Sequence, residues 1–197
     1  MVDFGAPAEV EYLANPHIGS NKIRRLIPKM RQFLLDHGCK IHFNTKVTDF
    51  IFENKQITAI KTEGGDTYHS DHVVLATGHS AEDIFDALHA QQVDMEGKSC
   101  ALGLRVEHPQ EWVNKTQYRE YSDHPDLGAA NYKLAYHNKR EDLGVYSFCM
   151  CPGGYVLSSG TDHGAIVSNG MSNFNRNSKY ANSAVVVSIN HEKLFGE

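Results

Sequence analysis

In the stretch HVVLATGHSAED, residues 72–83, an apolar run ends in a glycine and hands a serine to a helix-like segment. Two chemistries use such a junction. A serine nucleophile on a sharp strand-to-helix turn requires Gly-x-Ser-x-Gly, because small residues let the helix and strand approach. Here the fifth position is Glu82, which crowds that approach, while Ser80 followed by Asp83 has the form of a helix N-cap box. The second chemistry needs a glycine where backbone passes close to a dinucleotide, and Gly78 after an apolar run meets that need. The phosphate cradle itself, Gly-x-Gly-x-x-Gly, is missing, since no two glycines are separated by a single residue. A hydrolase built on Ser80 therefore stands as the alternative to a dinucleotide-associated protein.

Three other groups could do chemistry. In CMCPGG, Cys149 and Cys151 alternate along a predicted strand and so face one side, where a thiolate and a resolving partner would be needed for redox work. The competing reading is a strand that ends in a Pro-Gly-Gly turn, and it is preferred because a disulfide at that spacing is strained. Arg105 and His108 in GLRVEHP suit an anionic substrate, although an arginine at a strand rim is equally ordinary. The 12 histidines are spread evenly and CMC is tighter than zinc spacing, so no metal site is expected.

Composition bounds the rest. A net charge of −5 and a pI near 6.2 argue against a nucleic-acid partner. No apolar run approaches the length of a membrane span, the first ten residues lack a secretory signal, and four scattered cysteines suit free thiols; the expected location is cytoplasmic.

The elements that must position these residues read as follows. Ile23, Leu26, Ile27, Met30, Phe33 and Leu34 fall on one face of a helix over 20–38, with Ser20 at its start, Gly38 at its end and Pro28 inside. The basic residues Lys22, Arg24, Arg25, Lys29 and Arg31 lie largely off that stripe and read as a solvated face. KIHFN, VTDFIF and QITAIK predict a β-meander, HVVLAT a strand covered on both faces, and SAEDIFDALHA a helix. From Gly97 onward CALGLRVEH, YKLAYHN, GVYSFCM, YVLSSG and GAIVSNG predict a mostly antiparallel sheet, interrupted by a short helix entered through Pro109. NSAVVVSIN is a last apolar run. The fold class is thus mixed α/β and α+β.

Taken together and in order, NPHIGSNKIRRLIPKMR, VTDF, ITAI, HVVLATGHSAEDIF, GLRVEHPQ, YSFCMCPGG, NGMS and ANSAVVV resemble bacterial FAD-dependent dehydrogenases of the glutathione-reductase-like superfamily, the NAD(FAD)-utilising kind. The resemblance implies an internal fragment of such an oxidoreductase. Residues 1–96 would be a partial, Rossmann-like FAD-binding module with its β-meander, 97–180 an inserted β-rich domain covering the flavin and shaping a substrate pocket, and 181–197 a strand returning to the first module. By the same resemblance Val47 would face the adenine, and Ala76, Thr77 and Gly78 would line the adenosine and pyrophosphate side. FAD is expected in the parent protein and not on this chain alone, with NAD(P)H as a candidate electron donor and an unidentified small molecule as substrate. Truncated sheet edges predict a homodimer. A non-catalytic interaction module at 97–180 is the remaining alternative.

Overall fold

The computed structural model describes residues 1–162 and 165–196, a mixed α/β chain that is mostly β, with every strand pair antiparallel. It divides into two compact units, residues 40–97 and residues 1–39 with 98–197. Each is described by itself.

In the first unit β1 (Val47–Glu53), β2 (Gln56–Thr62) and β3 (Thr67–His69) form the meander, with β2 in the centre. Asn54 and Lys55 join β1 to β2 at φ 52° and 65°, the double left-handed turn whose twist suits a two-residue hairpin. Helix α2 (Glu82–Ala90) packs on β1 and buries Ile84, while Phe50 and Ala59 are the buried residues of the sheet. Gln91 donates to the Asp49 carboxylate, and Lys46 pairs with Asp83 at 2.7 Å on the surface.

Three expectations need correction here. KIHFN is not a strand: Asn44 at φ 53° breaks its extension before β1 begins. HVVLAT also joins no ladder, because β3 ends the sheet at His69 and no described strand offers the run an edge; Val74 is left 89% exposed. Nor does Ser80 cap α2. The N-cap is Ala81 without a side-chain bond, and the Asp83 carboxylate accepts from the Ile84 amide and binds Lys46.

The second unit opens with α1 (Ser20–Asp36). Gly19 is its N-cap, so Ser20 stands inside the first turn, and Pro28 sits within the helix. Its end follows the Schellman pattern: Gly38 at φ 85° donates to Leu35 O, and Cys39 donates back to Leu34 O. The predicted apolar stripe exists, but only Leu26, 2% exposed, is buried; Ile27, Phe33 and Leu34 remain open.

A four-stranded sheet follows, ordered β4 (Cys100–Pro109), β9 (Tyr180–Ile189), β6 (Leu143–Cys151), β5 (Ala135–Asn138). β4 and β9 pair without a break from Cys100↔Ile189 to Pro109↔Tyr180. At Gly103 the partner strand comes so close that a Cβ would stand 1.9 Å from Val185 O. β7 (Gly154–Asp162) and β8 (Ala165–Ser172) make a separate hairpin; Gly164, with which the predicted strand GAIVSNG begins, lies outside the described residues. Pro109 ends β4 and caps α3 (Gln110–Tyr118) directly, as its fixed φ and missing donor suit. A short helix α4 (His191–Phe195) follows β9, capped by the Asn190 side chain on the Lys193 amide.

The core of this unit gathers where α3 meets β9, at Val113, Ala130 and Ala181. Gln110 is buried beside it with its polar atoms matched. Its Nε2 donates to Asn114 Oδ1 at 2.8 Å and Ala130 O at 2.9 Å, and its Oε1 accepts from the Gly153 amide at 2.7 Å. Replacing it with an apolar side chain of similar length strands Ala130 O and the Gly153 amide, while Asn114 Oδ1 keeps the Ala130 amide at 3.0 Å, and Gln110→Met is expected to cost about 3 kcal/mol of stability. Urea denaturation of the variant beside the parent chain checks this; a loss under about 0.5 kcal/mol would show that the amide network is dispensable.

Candidate functional site

β6 carries a bulge against β9. Pairs from Val145↔Val187 to Phe148↔Ala184 keep one register, and Cys151↔Asn182 is shifted by a residue. Cys149 occupies the irregularity at φ 46°, a left-handed conformation costly for a non-glycine residue. The bulge breaks the strand alternation, so the expectation that Cys149 and Cys151 face one side does not hold: Cys149 is exposed and Cys151 half-buried, both as free thiols.

The bulge also turns the Cys149 carbonyl to Arg105 of β4. Arg105 Nη1 donates to Cys149 O at 3.2 Å and to Asn182 Oδ1 of β9 at 2.6 Å. Gly170 of β8 closes the group: a Cβ there would stand 2.1 Å from Asn182 Oδ1, 2.3 Å from Arg105 Nη1 and 2.8 Å from Cys151 Sγ. Only a glycine fits. Asn182 is fully buried, and its Nδ2, like Arg105 Nε, has no partner among the described residues. Two buried donors are therefore left over, and a buried unpaired donor costs about 1–3 kcal/mol unless a ligand or water meets it.

Beside Gly170 and Cys151 lies a cavity of about 360 Å³ whose other wall is Pro16–Ser20 and Ile23. The loop that forms this wall is docked firmly. His17 Nε2 meets Asn173 O at 2.8 Å, the Phe174 amide donates to Asn21 Oδ1 at 2.8 Å, and Gly19 passes so close to Phe174 that a Cβ would stand 2.2 Å from its amide nitrogen. Lys22, read from sequence as a solvated charge, holds its ammonium 3.0 Å from the centre of the Phe174 ring. The first turn of α1 has no side-chain cap, and its Lys22 amide donates to Gly19 O.

Burial pushes the Cys151 thiol above its ordinary range, opposed by the Arg105 guanidinium. That is the wrong direction for an attacking thiolate. His108, the other residue flagged beside Arg105, lies elsewhere, its ring between Trp112 and Tyr132.

The four residues expected to contact a cofactor all fall in the other unit. Val47 opens β1, paired with Thr62. Ala76, Thr77 and Gly78 lie exposed on the unpaired stretch before α2, with Gly78 at φ 82° and open space where a side chain would project. A cavity of about 420 Å³ in that unit is lined by Gln56, Ile57, Thr58, Asp71 and His72 and includes none of the four. Ser80 sits in the turn ahead of α2, and no side-chain hydrogen bond reaches it among the described residues. Sequence reasoning missed Asn182 and Gly170 as site residues. The available signal was a polar Asn-Ser pair at the head of an apolar strand, where burial of an amide demands a partner.

Residues 99–197 match the family described as FAD-dependent protein, C-terminal domain-like. The chain belongs to this family. The match covers the sheet, the hairpin and α3, and it includes Arg105, Cys149, Cys151, Gly170 and Asn182. The chain is also 37% identical over 196 residues to an uncharacterized protein of Clostridium beijerinckii, covering all of this chain and 37% of that relative's length. Membership supports an FAD-associated protein; it reaches neither the glutathione-reductase-like superfamily nor a dehydrogenase reaction. No helix among the described residues is long and apolar enough to cross a membrane.

The residues present fit FAD in part. Unpaired Asn182 Nδ2 and Arg105 Nε are donors, as an acceptor-rich group requires, while the glycine-rich pyrophosphate turn is missing from the sequence.

Two outcomes follow. An active-site serine probe such as a fluorophosphonate is expected to leave the chain unlabelled, and stoichiometric labelling lost in Ser80→Ala would restore the hydrolase alternative. In a time course with iodoacetamide at pH 8 read by mass spectrometry, Cys151 is expected to react more slowly than Cys149, because Cys151 is half-buried and burial raises its thiol while Cys149 is exposed. Arg105→Met should slow it further, and equal rates at the two cysteines would refute the assigned environment.

Proposed function

We propose that this chain is part of a longer FAD-dependent oxidoreductase, acting on a small molecule yet to be identified. The observation that carries this reading is the family match over residues 99–197, the segment that also holds Arg105 Nε and Asn182 Nδ2. Bound flavin would supply the hydride or electron transfer, with NAD(P)H as the electron donor. The chain's own residues would bind and orient. Val47, Ala76, Thr77 and Gly78 are assigned to the adenosine and pyrophosphate side, where Gly78 leaves room for backbone to pass close to a ligand. Residues 97–180 are assigned to covering the flavin and shaping the substrate pocket, and Arg105 and Asn182 to donating to an acceptor-rich group.

The exposed apolar surface supports the reading of a larger whole. Leu102 and Leu104 of β4 are 67% and 79% exposed, and the α1 stripe and Val74 add to them. Apolar area on this scale is uncommon on a finished surface. Further segments of a parent protein would cover it, and in the isolated chain a second copy would take their place.

A partial site does not hold its cofactor. Adenosine-side contacts alone must first offset an association cost of at least about 4 kcal/mol. After incubation with excess FAD and desalting, the 197-residue chain is expected to show no flavin absorbance, and a retained band near one equivalent would overturn the partial-site reading.

A further inference from the structure

β4 is the end strand of its sheet, and among the described residues only β9 pairs with it. Every second residue of such a strand turns its amide and carbonyl away from the ladder, so the outer edge of this 10-residue strand offers a row of donors and acceptors that no described strand takes. Edges of this kind are normally blunted by shortness, a lysine, a bulge or a proline. β5, at the far end of the sheet, is blunted by its length of 4 residues. β4 has no such device before Pro109: CALGLRVEH contains no lysine, and its register against β9 runs from Cys100↔Ile189 to Pro109↔Tyr180 without a bulge. On one face it presents Leu102, Leu104 and Val106, which are 67%, 79% and 43% exposed. On the other, Arg105 is turned to Cys149 O and Asn182.

We propose that β4 is a dimerisation edge, at which two copies of this chain join their β4 strands antiparallel about a two-fold axis through Leu104. The backbone fixes the class of partner, because a straight row of amides and carbonyls is met by an extended strand. The side chains fit that strand to be a second β4. A two-fold axis perpendicular to the sheet pairs residues of the same face, so it passes through one residue, and each choice of residue sets a different register. Centred on Leu104, the ladder runs from Cys100 to His108 in both copies. Leu102 then stands opposite Val106 of the second copy, and Leu104 opposite its own equivalent. On the other face the small Ala101 and Gly103 stand opposite Glu107 and Arg105, which leaves room for the longer side chains and brings no like charges together. Centring on Arg105 opposes two guanidinium groups, centring on Val106 runs the ladder into Pro109, which has no donor, and centring on Gly103 ends it at Val106. One strand pair is a small interface, so a dimer of micromolar affinity is expected. The inference stands on the open edge and does not depend on the flavin reading.

Sedimentation equilibrium of the 197-residue chain between about 1 and 200 µM reads the association directly, and a monomer–dimer equilibrium is expected. Leu104→Lys sets two like charges opposite each other at the axis and should weaken the dimer by more than about tenfold; Leu104→Glu should do the same. Mixed in equal amounts, the two variants should regain the dimer, because opposite charges then meet across the axis. Recovery on mixing also shows that both variants are folded. Val74→Lys removes an apolar side chain that is 89% exposed in the other unit, and it should leave the affinity within about twofold of the parent chain. A chain that stays monomeric over this range overturns the proposal. So does a dimer that survives Leu104→Lys, a dimer that Val74→Lys weakens equally, or a mixture of the two Leu104 variants that remains monomeric.

Discussion

The architecture of the larger unit turns on the carboxamide of Gln110. This one buried side chain joins three pieces of chain that are far apart in sequence: the start of α3, the loop at Ala130 and the turn at Gly153. Its backbone amide donates to Lys179 O at the head of β9, which adds a fourth. A carboxamide is the side chain that can do this, because it offers two donors and an acceptor from one planar group. Glutamate would present an acceptor where Ala130 O already accepts, and an apolar residue would leave Ala130 O and the Gly153 amide buried and unmatched. Gly153 in turn must be glycine: it lies at φ 51°, and a Cβ would stand 1.7 Å from Arg176 O. The CPGG turn is thus held from both sides, and with it the end of β6 where Cys151 faces Gly170.

That restraint explains how the bulge at Cys149 persists. A left-handed cysteine on a strand costs on the order of 1–3 kcal/mol and survives only where its surroundings determine it. Here the Arg105 guanidinium draws the Cys149 carbonyl inward from one side, and the fixed turn holds the strand end on the other. The same arginine orients the Asn182 oxygen, which leaves the Asn182 Nδ2 pointing elsewhere and unpaired.

How much of this the sequence disclosed depended on the reach of each signal. Turn chemistry acts over two or three residues, so the hairpin of VTDFIF and QITAIK, the Pro-Gly-Gly turn and the entry of α3 through Pro109 were legible. The strands after Gly97 were legible through their length and punctuation, and their pairing follows as an antiparallel sheet. HVVLAT misled because an apolar run reports that a segment needs cover, not that a partner strand within this chain supplies it. The α1 stripe misled in the same way, with Leu26 alone buried. Ser80 failed as a cap because Asp83, its expected partner, is taken by Lys46, a contact 37 residues away that no local pattern discloses. Asn182 and Gly170 escaped for the same reason. Each matters through a neighbour on another strand, and strand order is not written in local periodicity.

Pro109 links the two parts of the unit. β4 runs into α3 through this residue with no loop between, so His108 belongs to the last turn of the ladder and Gln110 to the first turn of the helix. The chain changes from a two-residue to a 3.6-residue period at a position whose φ cannot vary, and the residues on either side are consequently fixed in direction. On one side the fixed residue satisfies its neighbours completely, and the core closes around Gln110. On the other, His108 is held between the rings of Trp112 and Tyr132, so the junction orders a polar network on one side and an aromatic group on the other.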